Sequence, residues 1–187
     1  MIRHTIASDY KRCGISRISF GVLLKTFIFL PNPGLKFLTI FRLTQHFRKR
    51  NKAMFYFFFL WLRHLKVKYG FDISYRTQIG EGFYIGHFGS VVIHGDTVIG
   101  ANCNISQGIT IGISNSGSHI GVPKIGANVF IGPGACIFGA ITIGNHVTIG
   151  ANAVVTQSVP DYHTVLSPKI TILDKDLSAF YIHNSIK

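Results

Sequence analysis

The chain has 187 residues, 47% of them hydrophobic, and a formal net charge of +12. This length suits one sizeable domain, with or without an appended element. Its three cysteines are an odd number without metal-ligand spacing, which excludes a disulfide framework and favours a reducing compartment. The first residues lack the apolar core and cleavage site of a secretory signal, so we expect a cytoplasmic protein.

The positive charge is concentrated in the first part of the chain. Residues 1–70 contain fourteen Lys and Arg and one acid, a balance of +13, whereas residues 71–187 contain five basic and six acidic residues, a balance of −1. A segment this basic suits an anionic membrane surface, an anionic substrate or a nucleic acid. No nucleic-acid-binding motif accompanies the charge, so we expect no nucleic-acid partner.

Residues 1–70 are predicted to form a basic, aromatic-rich helical segment. Helices are expected at about 16–29, 35–49 and 52–68, with a turn at Pro31, Pro33 and Gly34. The apolar run MFYFFFLWL has only nine residues, whereas a spanning helix needs about 20. Aromatics bordered by Lys and Arg are typical of a helix in a membrane interface, but they also suit packing on a coil end or in an oligomer. For residues 16–68 both interpretations stay open: packing alone, or packing with peripheral contact at the inner face of the membrane.

From Ile73 onward the sequence carries an internal repeat. Aliphatic residues recur every six positions, at 73, 79, 85 and 91, then at 93, 99, 105 and 111, and then from 125 to 155. Between 91 and 93 the phase slips by two. Six-residue repeats are the signature of a parallel β-helix, which we predict over residues 71–160, followed by a C-terminal tail at 161–187.

The remaining slots of the repeat fit corners between short strands. When the aliphatic residue is counted as the first position of each repeat, the fourth position holds residues that tolerate a left-handed backbone: Gly82, Asn102, Gly108, Asn128, Gly134 and Asn152. The fifth slot is often small, so Cys103 is interpreted as a core residue. The Gly- and Ser-rich segment 112–124 interrupts the repeat and is predicted to be a loop that leaves the coil.

The stretches DISYRTQIGEGFYIGHFGSVVI, TVIGANCNISQGITIG and PKIGANVFIGPGACIFGAITIGNHVTIGANAVVTQSVP closely resemble the hexapeptide-repeat acyltransferases. The resemblance runs from Asp72 to about Ile172 and is strongest to serine acetyltransferases and their polysaccharide O-acetyltransferase relatives. It implies a mainly β fold: a left-handed parallel β-helix with an N-terminal α-helical segment and one excursion loop. It also implies a homotrimer with active sites between neighbouring coils, and acetyl-CoA as the donor.

The resemblance also implies roles for particular residues. His87, in GHFG, matches the catalytic general base, and Asp72 matches the carboxylate that orients it. His94 and His119 are candidates for acceptor binding, and His119 is the alternative base. The positions that match CoA contacts are Ile113, Pro133, Gly134 and Ala151, with Lys169 as a candidate for a CoA phosphate. No metal site is predicted, because the histidines lack ligand spacing.

Departures from the family pattern bear on the acceptor. Serine acetyltransferases carry an Arg-His pair before the Pro-Lys that closes the loop, where this chain has Gly121 and Val122. The parallel N–H groups of an Arg guanidinium bind a carboxylate well, so the lack of this Arg argues against serine as the acceptor. The sequence therefore favours O-acetylation of a sugar hydroxyl in a capsule, exopolysaccharide or O-antigen unit, with a glycan acceptor, either free or lipid-linked. The alternatives are serine acetyltransferase and a non-catalytic β-helix scaffold.

Overall fold

The computed structural model describes residues 2–167, in which helices precede a coil of short strands. The helices are α1 (Ile2–Arg12), α2 (Phe20–Ile28), α3 (Pro33–Phe47) and α4 (Lys52–Tyr69). α2 is shorter than predicted, and α1 lies where the sequence predicts no helix. α1 buries only Ile6, Asp9 and Tyr10, so its apolar pattern is too sparse to identify it. Among residues 2–167 no helix is both long and apolar enough to cross a membrane.

Each of the later helices begins at a polar N-cap. The side chains of Ser19, Asn32 and Asn51 accept hydrogen bonds from the backbone N–H three residues on. α4 ends at Gly70, whose φ of 68° is left-handed and favours glycine. The first strand begins at the next residue, so the end of α4 is fixed against the start of the coil.

The coil is a parallel β-solenoid of about five turns. Its strands are β1 (Phe71–Ile73), β2 (Gln78–Ile79), β3 (Tyr84–Ile85), β4 (Val91–Ile93), β5 (Val98–Ile99), β6 (Asn104–Ile105), β7 (Thr110–Gly112), β8 (Lys124–Ile125), β9 (Phe130–Ile131), β10 (Cys136–Phe138), β11 (Thr142–Ile143), β12 (Thr148–Ile149), β13 (Val154–Val155) and β14 (Thr164–Val165). They form three sheets, in the orders β1-β4-β7-β10-β13, β2-β5-β8-β11 and β3-β6-β9-β12-β14. The predicted six-residue repeat is confirmed, and strand structure continues to Val165, beyond the predicted boundary at 160.

The aliphatic residues of the repeat stack in columns inside the coil. Ile73 pairs in register with Ile93, which pairs with Ile111, and all three are buried. The burial of one such side chain contributes about 1.5–3 kcal/mol, and the column repeats on all three sides of the coil. Cys103 lies fully buried in the same core, as interpreted from its slot.

The phase slip in the sequence corresponds to an enlarged corner in the first turn. Ile73 and Ile93 are register partners twenty residues apart, whereas Ile93 and Ile111 are eighteen apart. The two additional residues lie in the segment 86–90 between β3 and β4, which contains His87. The corner has a left-handed backbone at Gly89 (φ 103°) and Ser90 (φ 50°).

A buried ion pair locks the helices onto the first turn of the coil. Asp9 of α1 and Arg42 of α3 are 2% and 3% exposed, and Arg42 Nε donates to Asp9 Oδ2 at 3.0 Å. The guanidinium also donates to the backbone carbonyls of Ile79 and Gly80, and Asp9 accepts from the backbone N–H of Phe83 at 2.9 Å. Burial raises the pKa of the Asp9 carboxyl, and the nearby Arg42 charge opposes that rise.

Candidate active site

His87 lies exposed on the enlarged corner of the first turn. Two backbone bonds tie this corner to the end of α4: Gly89 N–H donates to the Tyr69 carbonyl at 2.9 Å, and Val91 N–H donates to the Gly70 carbonyl at 3.0 Å. Within residues 2–167 the His87 imidazole has no hydrogen-bond or ion-pair partner. The backbone of this histidine is therefore fixed while its ring nitrogens are available to a ligand, as a general base requires.

Asp72 lies on β1 with its side chain pointing out of the coil. Its carboxylate pairs with the Lys66 ammonium of α4 at 2.8 Å, and its side chain is 74% exposed. No hydrogen bond joins Asp72 to His87 in the described part of the chain, so the predicted pairing of the two residues stays a prediction. An ion pair this exposed is weak, and a competing partner can replace Lys66 at little cost.

Two grooves meet at Asp72. One, of about 400 Å³, is lined by Asp72, Ser74, Val92, Ile93, His94, Gly95, Ile111, Gly112 and Ile113. It brings together three of the residues predicted from sequence: Asp72, His94 and Ile113. The other, of about 460 Å³, is lined by Arg63, Lys66, Val67, Gly70, Phe71 and Asp72. Asp72 therefore has a groove on each side, one along the sheet and one against the end of α4.

The second groove contains two functional candidates that the sequence analysis missed. Arg63 and Lys66 are three residues apart on α4, so their side chains lie on neighbouring positions of the helix surface. The signal for them was a basic pair at i and i+3 just before a strand that carries a carboxylate. Without the register of α4 against β1, that pair could not be distinguished from the surrounding basic residues.

His94 is half-buried at the edge of the first groove. Its Nδ1 accepts a hydrogen bond from the backbone N–H of Asp96 at 3.2 Å, which orients the ring. Its own backbone N–H donates to the Ile111 carbonyl at 2.9 Å, and its carbonyl accepts from Thr97 N–H at 3.1 Å. These bonds hold both the ring and the backbone of His94 in place at the edge of this groove.

The excursion loop is closed at its base by a short antiparallel bridge. Ser114 and Gly121 exchange backbone hydrogen bonds of 2.9 and 3.0 Å. His119 is exposed, and its carbonyl accepts from Ala140 N–H at 2.9 Å. Neither His119 nor His87 lines either groove beside Asp72, so the choice of His87 over His119 as the base stays a prediction.

Most of the residues predicted to contact CoA lie at one corner of the coil. Pro133 and Gly134 lie between β9 and β10, and Ala151 lies one turn on, where Asn152 N–H donates to the Pro133 carbonyl at 2.8 Å. Small side chains here leave the backbone accessible to a ligand. Ile113 lies apart from them in the groove with Asp72, and Lys169 lies outside the described residues. Residues 2–167 contain no group of three or more His, Cys, Asp or Glu placed to hold a metal ion.

Comparison with known proteins places these features in a family. The sequence model described as "Bacterial transferase hexapeptide (six repeats)" matches residues 123–157. A serine acetyltransferase of Helicobacter pylori is 35% identical over 150 residues, which cover 80% of this chain and 86% of that protein.

Solved structures give the same result. Serine acetyltransferase isoform 3 of Entamoeba histolytica, in complex with cysteine, superposes with a TM-score of 0.73 and 28% identity over 96% of this chain. The Neisseria gonorrhoeae serine acetyltransferase, in complex with serine, superposes with a TM-score of 0.71 and 27% identity over 89% of this chain. This chain spans 63% and 67% of those two chains. The coil, its register and these relatives together show that the chain belongs to the left-handed β-helix, hexapeptide-repeat acyltransferase family, as an acetyltransferase related to the serine acetyltransferases.

Proposed function

We propose that this chain transfers an acetyl group from acetyl-CoA to an acceptor hydroxyl, with His87 as the general base. The observation that carries the proposal is the position of His87: it is exposed on a corner fixed to α4 and has no hydrogen-bond or ion-pair partner among residues 2–167. In the reaction, neutral His87 takes the hydroxyl proton as the oxygen attacks the thioester carbonyl. The tetrahedral intermediate then expels the CoA thiolate, which takes the proton from the imidazolium.

Asp72 acts in this proposal as a positioning residue. A carboxylate on the far nitrogen of the imidazole fixes its tautomer and stabilises the imidazolium. To reach His87, Asp72 must leave Lys66, and its 74% exposure makes that exchange inexpensive. Lys66 and Arg63 are then available to an anionic group on the acceptor, because both line the groove that Asp72 shares.

L-Serine is the acceptor that the relatives support best. The Helicobacter pylori protein named serine acetyltransferase matches most of this chain and most of its own length. The carboxylate of serine would need a cation, and the structure offers Arg63 and Lys66 beside Asp72. These two residues would take the place of the Arg-His pair that is missing before Pro123.

A sugar hydroxyl of a surface polysaccharide is the second candidate, favoured by one observation at the excursion loop. Gly121 has a φ of 134°, and a Cβ added there would lie 3.0 Å from the Ala140 Cβ. An arginine at this position would strain the backbone and displace the loop. The loop is therefore built without the Arg of the serine enzymes, which favours a different acceptor.

The deciding experiment measures CoA-thiol release from acetyl-CoA with L-serine and, separately, with surface polysaccharide from the source organism. Wild type is compared with His87→Ala and with His4→Ala, which removes an exposed histidine of α1 far along the chain from the corner. We expect turnover with one acceptor, retained in His4→Ala and reduced by about 10²-fold or more in His87→Ala.

The acceptor that turns over separates the two candidates. Turnover with serine assigns the chain to serine acetylation, and turnover with the glycan alone assigns it to the polysaccharide. Equal rates in wild type and His87→Ala with every acceptor would overturn the role of His87 and favour the non-catalytic scaffold.

A further inference from the structure

The outward sides of α2 and α4 expose large apolar side chains. On α2, Phe20, Leu24 and Ile28 follow one another at four-residue spacing and are 82%, 51% and 59% exposed, and Phe29 beside them is 74% exposed. On α4, the exposed apolar residues are Tyr56 at 60%, Phe57 at 57%, Leu60 at 61% and Val67 at 82%. We call these eight residues, with the basic residues Lys25, Lys52, Arg63 and Lys68 on the same helices, the basic apolar face.

The exposed apolar residues of the basic apolar face are not the ones through which the helices pack. α4 buries Phe58, Leu62 and Leu65 toward the core, and the Phe27 ring of α2 lies 5.2 Å from the Trp61 ring of α4. α2 and α4 therefore contact each other and the core through other residues. Packing within the chain accounts for the inward aromatics and leaves the outward ones uncovered, so the packing interpretation of the sequence would need an oligomer to bury them.

The two helices that carry this face, α2 and α4, contain basic residues and no acidic residue. Between residues 10 and 71 the sequence contains thirteen Lys and Arg and not one Asp or Glu. A second copy of the chain docked on the same face would bring like charges together, which opposes association. An anionic lipid surface offers opposite charge to the basic residues and an apolar layer to the Phe, Leu and Ile side chains.

We propose that the basic apolar face binds the anionic surface of a lipid bilayer, with α2 and α4 lying in the interface. The binding combines apolar insertion with electrostatic attraction, so it needs both features of the face and weakens as salt screens the charges. It does not depend on acetyl transfer.

The position of the face has a consequence for the acceptor. Arg63 and Val67 belong to the basic apolar face and also line the groove that contains Asp72. A chain bound through this face therefore holds that groove at the lipid surface, within reach of a hydroxyl on a lipid-linked molecule. This consequence rests on the proposed function, whereas the surface binding itself does not.

Vesicle flotation of the full chain tests the binding. The probes are vesicles of phosphatidylcholine alone and of phosphatidylcholine with phosphatidylglycerol, each at low and at high salt. We expect flotation with the anionic vesicles at low salt and at least about tenfold less with the neutral vesicles or at high salt. Equal partition into both vesicle types would overturn the proposal.

Two sets of variants separate the apolar and the electrostatic contributions. Phe20→Gln with Leu60→Gln changes exposed residues of the face, and we expect at least about a tenfold loss of flotation. Val154→Gln, at an exposed apolar residue of the coil, is the matched control and should float like wild type. Lys25→Gln should weaken binding several-fold, whereas Lys124→Gln, the same charge change on the coil, should not.

Light scattering of the same variants in the absence of lipid tests self-association as the rival use of the face. We expect Phe20→Gln with Leu60→Gln to leave the oligomer mass unchanged. A smaller oligomer in this variant, with vesicle binding unchanged, would assign the face to a contact between copies of the chain and would overturn the proposal.

Discussion

Asp9 and Arg42 illustrate at the residue scale how much depends on one buried pair. Both side chains are nearly inaccessible, and each also bonds to the backbone of the first turn. We predict that Asp9→Asn lowers the free energy of unfolding by about 3–5 kcal/mol, because it leaves the Arg42 charge buried without its partner. Urea denaturation followed by circular dichroism measures this loss.

The exposed pair Arg76 and Asp96 provides the control for that prediction. Its N···O distance of 2.9 Å is close to that of the buried pair, but the side chains are 60% and 58% exposed. Asp96→Asn should therefore change the stability by less than about 1 kcal/mol. Similar losses in Asp9→Asn and Asp96→Asn would show that burial does not determine the strength of these pairs.

Asp72 is the second residue whose role can be isolated. If it orients His87, Asp72→Asn should lower kcat by about 10-fold to 10²-fold and leave the KM for acetyl-CoA nearly unchanged. Glu81→Gln, which removes an exposed carboxylate paired with His4, should leave both constants at the wild-type value. A change confined to the KM for the acceptor would instead assign Asp72 to acceptor binding.

At the scale of the element, Gly34 sets the distance between α3 and the coil. It is the second residue of α3, and a Cβ added there would lie 2.6 Å from the Ile85 carbonyl oxygen. Ile85 is two residues before His87, so we predict that Gly34→Ala displaces α3 from the corner that contains His87 and costs about 1–3 kcal/mol of stability. The midpoint temperature of thermal unfolding and the acetyl-transfer rate should both fall.

Gly21 is a matched control because it is the second residue of α2. A Cβ there would meet only the Ser19 Oγ, at 3.8 Å. Gly21→Ala should therefore raise the stability by up to about 1 kcal/mol, through the better helix propensity of alanine. Stabilisation by Gly34→Ala as well would show that α3 does not rest on β3 as the structure indicates.

The last turn of the coil depends on a carboxylate and should respond to pH. The backbone N–H and side-chain amide of Asn145 donate to Asp161 at 2.8 and 3.2 Å, and these bonds lower the pKa of its carboxyl from 3.8. A carboxyl whose pKa is lower in the folded than in the unfolded state stabilises the fold at pH values above its unfolded-state pKa. This stabilisation is lost as the pH falls through its folded-state pKa.

We therefore expect the stability difference between wild type and Asp161→Asn to be largest near neutral pH and to shrink below about pH 4. Urea midpoints of both proteins at a series of pH values measure it. A difference that is independent of pH would show that the Asn145 contacts do not depend on the Asp161 charge.

The sequence predicted the coil well because each inward position repeats every six residues and needs the same kind of side chain. Even the enlarged corner was visible, as the phase slip between Val91 and Ile93. α1 was missed because its buried face combines Ile6 and Tyr10 with a charged residue, Asp9. The groove with Arg63 and Lys66 was missed because it depends on how α4 meets β1, a contact that no local pattern encodes.

At the scale of the whole molecule, the family resemblance predicts a trimer with active sites between neighbouring coils. Sedimentation equilibrium should therefore give three times the mass of one chain. Mixed trimers of His87→Ala and Asp72→Asn subunits would show whether the two residues act within one chain. Activity recovered in the mixture would place them across an interface, and no recovery would place them in the same subunit.

The closed base of the excursion loop determines where the chain can change length. The paired backbones of Ser114 and Gly121 keep the two ends of the loop together whatever lies between them. Elsewhere, one added residue within a strand would reverse which side chains point inward and expose an aliphatic residue in that turn. Insertions and deletions between 115 and 120 alter neither the columns of the core nor the corner of His87. The loop can therefore change in length and sequence with no change in the turns around it.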